Sequence, residues 1–102
     1  MMSSIPKHIK EQAMNRDLII SVRIGRNGLT DSLVQEMRDQ LSKRGLVKVK
    51  ANRGVVEGSD ERLGLFGAIA ESTNSQMVFQ RGNVAVFWSS EWSLILDDLG
   101  LL

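Results

Sequence analysis

Between a β-branched stretch and a helix start the chain reads Gly25-Arg26-Asn27-Gly28, a guanidinium and a carboxamide held between two glycines. Residues of these types in that setting suit the binding of an anion. Glycines carry no Cβ, so another chain can pass close to the backbone. The first N–H groups of a helix have no intrahelical acceptor and sit at the positive end of its dipole. Arg26 adds a fork of donors matched to phosphate oxygens. The competing reading is a tight turn that binds nothing, and these four residues alone leave both open.

Spacing by itself is weak evidence. Nine glycines in 102 residues make Gly-x-x-Gly common by chance, and Gly64-Leu65-Phe66-Gly67 repeats it with apolar filling inside a helical stretch. The first pair differs in its surroundings, since it follows a strand, opens a helix and encloses polar residues. No Gly-Lys-Ser/Thr follows Gly28, which argues against a triphosphate P-loop. A glycine loop that clamps a nucleic-acid backbone, as in KH modules, is the nearer parallel.

Other chemistries find little footing. The chain has no cysteine, which removes disulfides, thiolate nucleophiles and cysteine-bound zinc, and which fits a reducing cytoplasm. His8 is the only histidine and falls in an N-terminal segment expected to fray. With no paired carboxylates, metal-ligand cluster or nucleophile–base pair in view, the chain is expected to be non-catalytic and to need no cofactor or metal. No apolar run approaches the roughly 20 residues of a membrane helix, and no apolar signal region follows the N-terminus.

Net charge is +1 but unevenly placed. Residues 1 to 53 hold eleven Lys/Arg against five Asp/Glu, a net +6, while residues 54 to 102 hold two against seven, a net −5. Segregation of this kind suggests one basic face for a polyanion. Arg26 and Asn27 are the leading contact candidates, followed by Arg23 on the polar side of the first strand. Lys48 and Lys50 share one strand face and serve equally well as RNA contacts or as charged guards of a sheet edge. Lys43 and Arg44 close a helix whose dipole favours cations in any protein, so their role stays open. Arg53 is a further candidate in the loop beyond.

The elements that must hold these residues follow from periodicity. Residues 5 to 16 suit a short helix with Ile9 and Ala13 one turn apart. Leu18 to Ile24 alternates as a strand, with Ile20, Val22 and Ile24 on one face. Thr30 is a good N-cap, and Leu33, Met37 and Leu41 recur at helical spacing until Gly45 supplies a stop. Leu46 to Lys50 alternates strictly as a second strand. Ser59 is placed to cap a helix with Leu63, Phe66, Ile69 and Ala70 facing the core, and Gly64 and Gly67 suggest close approach to the sheet. Gly82-Asn83 between Met77–Arg81 and Val84–Trp88 marks a hairpin. The order β-α-β-α-β-β after a short helix predicts a compact α/β domain with a four-stranded mixed sheet and both helices on one face.

Ile24 to Ala51, IGRNGLTDSLVQEMRDQLSKRGLVKVKA, resembles the signature region of the CRM domain, the YhbY-like family named for chloroplast RNA splicing and ribosome maturation. The later helix and GNVAVFW, Gly82 to Trp88, also fit. The resemblance implies an RNA-binding module, similar in fold to the C-terminal domain of translation initiation factor three. It implies partners such as precursors of the large ribosomal subunit or introns, with Gly25, Arg26, Asn27 and Gly28 as the RNA-gripping loop. On this reading residues 1–17 form an N-terminal segment, 18–88 the domain and 89–102 an apolar tail. Trp88, Trp92 and that tail leave a second reading open, a protein-interaction or homodimer module.

Overall fold

A helix that starts and stops sharply organises the molecule. In the computed structural model, which describes residues 5–89, Thr30 accepts the Leu33 N–H on its hydroxyl at 3.1 Å, and Gly45 ends the same helix at φ 74. This helix, α2 (Asp31–Arg44), is the second of three. It follows α1 (Lys7–Met14) and β1 (Ile20–Ile24), and precedes β2 (Leu46–Ala51), α3 (Ser59–Thr73), β3 (Gln76–Arg81) and β4 (Val84–Trp88). Because α2 crosses from the end of β1 back to the start of β2, the two strands run parallel. The sheet order is β1-β2-β4-β3, with β4 antiparallel to both neighbours. Gly82 at φ 56 turns the β3–β4 hairpin while Asn83 keeps a negative φ.

Both faces of the sheet are used. Val22, Ile24, Val47, Val49 and Phe87 are fully buried beneath Met37 of α2 and Phe66 and Ile69 of α3. Phe66 and Phe87 meet edge to face at 6.1 Å. Apolar burial at about 25 cal/mol per Å² makes this the main cohesive force of the domain. The other face is half covered by α1, whose buried Ala13 packs in a smaller cluster with Leu46, Val86 and Trp88, flanked by Ile9 and Phe79. Trp88 is thus a core residue, whereas Trp92 and the rest of the expected tail lie outside the described residues.

Several expectations are corrected by this packing. The first strand begins at Ile20, and its register slips by one residue, so that Ile20 aligns with Lys48 but Val22 with Val49. Ser21 is the extra residue of this bulge. Ile20 therefore leaves the face of Val22 and Ile24 and joins that of Lys48. Strand β2 lies between β1 and β4, so Lys48 and Lys50 guard no edge. Both are half-buried, and the Lys48 ammonium donates to the Leu18 carbonyl at 3.1 Å, tying β2 to the chain entering β1. In α3 the cap position belongs to Gly58 at φ 84, and Ser59 is the first helical residue. The Glu61 carboxylate accepts the Glu57 N–H at 2.9 Å, satisfying a donor that a Ser59 cap would have left to others. Leu63 is 49% exposed rather than in the core. Gly64 and Gly67 are also exposed, and a Cβ at either would meet nothing within 4 Å, so close approach to the sheet does not account for them.

These details predict two stability effects. Gly67→Ala, in an exposed helix interior, is expected to raise unfolding free energy by up to about 1 kcal/mol in a urea titration. A loss of stability would mean that the outer face of α3 is packed against something. Lys48→Ala should cost about 1 kcal/mol through the lost tie to Leu18, whereas Lys50→Ala should not. Equal losses at the two positions would contradict the assigned hydrogen bond.

Candidate nucleic-acid interface

The four residues between β1 and α2 close into a hydrogen-bonded turn, with the Gly28 N–H donating to the Gly25 carbonyl at 3.0 Å. Arg26 and Asn27 occupy its two central positions without positive φ, as in a type I turn with glycine fourth. Gly28 takes φ 65, a conformation that costs other L-residues roughly 1–2 kcal/mol. Gly25 is different. Its φ is not positive, and a Cβ built on it would meet nothing within 4 Å. The turn's conformation explains one glycine of the pair and leaves the other without an internal reason.

Around the turn lies a cleft of about 280 Å³, lined by Arg23, Arg26 and Asn27, by both glycines, and by Thr30, Ser32 and Leu33 at the start of α2. That is just below the roughly 300–1,000 Å³ of pockets that enclose a small molecule. Gly25, Arg26 and Asn27 are exposed, so the cleft presents donors to something lying across it. The Thr30 hydroxyl and carbonyl already hold the Leu33 and Val34 N–H groups, at 3.1 and 3.0 Å, while the earlier amides of the helix keep no intrahelical acceptor. Glu36 lines the far wall, and Asp31 stands in the first turn. Neither carboxylate comes within 4 Å of an arginine here, and Lys7–Glu11 at 3.9 Å is the only ion pair among the described residues.

The other cations separate into groups. Arg23 and the glycine loop share the cleft. Lys48 and Lys50 open instead onto the sheet face that carries α1, where Arg16 and Arg81 join them. The Asn52 N–H donates to the Ile24 carbonyl at 2.9 Å, which brings the turn containing exposed Arg53 beside the start of the loop. Lys43 and Arg44 do not join the site. They sit at the opposite end of α2, about 20 Å along a 14-residue helix at 1.5 Å per residue. Arg44 lines a separate hollow there with Asp17 and Leu46. Arg16 and Arg81 were not singled out from the sequence. The hairpin signal at Gly82-Asn83 sets Arg81 opposite Val84, but only the docking of β4 on β2 brings it near Lys50.

No group of three His, Cys, Asp or Glu residues able to hold a metal occurs among the described residues. None of their helices is long and apolar enough to cross a membrane.

Comparison with known proteins agrees with this architecture. The solution structure of a hypothetical protein from Staphylococcus aureus, named as a candidate RNA-binding protein, superimposes with a TM-score of 0.64 at 25% identity. The match covers 81% of each chain. No curated protein matches the chain by sequence. The profile of the CRS1 / YhbY (CRM) domain matches residues 5–89, a span that takes in α1 as well as the sheet. By that match over most of its length, the chain belongs to the CRS1 / YhbY (CRM) domain family.

Proposed function

We propose that the chain is a non-catalytic RNA-binding protein that holds the sugar–phosphate backbone at the corner formed by Gly25 to Gly28. One observation carries the reading: among the described residues, nothing requires a glycine at position 25. A strand of RNA laid against that backbone does require one, since a Cβ would hold it away from the peptide groups. The guanidinium of Arg26, the carboxamide of Asn27 and the open amides of α2 supply the donors.

Such contacts fix position and carry little base information. Family membership and the S. aureus neighbour, itself named for RNA, support RNA over other polyanions. Ribosome assembly in the cytoplasm, on RNA of the large-subunit precursor, is the setting we favour, with intron RNA as the other substrate in keeping with the family resemblance. Contacts of this kind make binding fall steeply with salt.

Two variants separate binding from folding. Gly25→Ala should leave thermal stability unchanged or slightly raised, yet weaken RNA affinity about tenfold, the equivalent of 1.4 kcal/mol. Gly28→Ala should instead lower stability by about 1–2 kcal/mol. Undiminished RNA affinity in Gly25→Ala, measured by filter binding, would remove the main support for this function. Replacing Arg26 and Asn27 with aspartates should also weaken binding at least about tenfold with the fold intact.

A further inference from the structure

The geometry points to a second RNA contact, on the sheet face that carries α1: a row of cations that continues the glycine loop and leads a single strand across the sheet to the β3 edge. It rests on the proposal that the loop grips RNA. At the end of the sheet nearest that loop, Arg23 aligns with Lys50, Lys50 with Val84, and Val84 with Arg81. Residues aligned across neighbouring strands project from one face. With strands about 4.8 Å apart, the row is about 14 Å long. Arg23 lines the loop cleft and pairs in register with Lys50 of the groove, so it is the link between loop and row.

Three features separate this row from an ordinary solvated surface. First, α1 packs its Ala13 over Leu46, Val86 and Trp88 and stops short of the row, leaving a groove of about 230 Å³. No carboxylate lines that groove, and Arg16 from the end of α1 adds another cation. Second, like charges set side by side on paired strands are destabilising. The fold therefore gains nothing from placing Arg23 beside Lys50, and an anion lying along the row relieves the repulsion. Third, the groove has an apolar floor and wall, with half-buried Phe79 beneath and Met14, 63% exposed, at the rim. A cationic track beside an aromatic ring is the arrangement with which proteins hold single strands, phosphates on the charges and bases on the ring. On this proposal the row is selective for a single strand over a duplex.

The test uses the full chain, an unstructured oligouridylate and a duplex RNA of equal length, with affinity read by fluorescence anisotropy as salt is varied. Lys50→Gln with Arg81→Gln should lower affinity for the single strand and flatten the log–log salt dependence by about 1.4, two phosphate contacts at roughly 0.7 each. Arg16→Gln with Arg81→Gln, both at exposed positions, should reproduce the effect if the first pair perturbs folding. An unchanged slope and affinity in both pairs, alongside a loop variant that still binds poorly, would overturn the row and leave the loop reading standing. A greater loss for duplex than for single strand would also overturn it. Loss in the row variants with undiminished binding in the loop variant would defeat the loop and, with it, the row as a continuation of the loop.

Discussion

The parallel pairing of β1 with β2 is the constraint from which the rest follows. Two parallel neighbours need a crossover, and here α2 provides it. A crossover helix must begin where the first strand ends, so the open amides of α2 are delivered to the carboxyl end of the sheet. Open α/β sheets place ligands at that end for the same reason. The glycine turn, the Thr30 cap and Arg23 are then neighbours because of topology, before any side-chain preference acts. The fully buried Ile24 and Met37 hold the corner by packing the strand's last residue under the helix.

The sheet's two faces divide the labour. One is sealed by α2 and α3 and supplies cohesion. The other is covered by α1 over half its length, which leaves the cations nearest the loop accessible. An eight-residue helix is long enough to bury Ala13, Val86 and Trp88 and too short to reach the row of Arg23, Lys50 and Arg81.

Much of this was legible in the sequence because local signals carried it. Thr30, Gly45 and Gly82 act through their own backbone neighbourhood, and α2, its ends and the hairpin follow from them. What failed were inferences that needed a second element. Alternation put Ile20 with Val22, but pairing with β2 introduces a bulge at Ser21 and turns Ile20 over. Helical spacing put Leu63 in the core, yet α3 is packed along Phe66, Ile69 and Thr73, and Leu63 falls outside that stripe. Charge counting found the basic half of the chain and passed over Arg81, which lies in the acidic half and arrives beside Lys50 through strand order alone. Lys43 and Arg44, whose role the sequence leaves open, stand at the far end of α2 from the loop.

The central claim is that an RNA backbone lies against the bare peptide groups between β1 and α2. The most direct measurement is a two-dimensional amide NMR titration of the full chain with single-stranded RNA, following every backbone N–H at once. The account predicts that the signals of Gly25 to Ser32 shift first and furthest, with those of Arg23 and Lys50 moving in step. Shifts confined to the outer face of α3 or to residues beyond 89, with the Gly25–Ser32 amides unmoved, would contradict it.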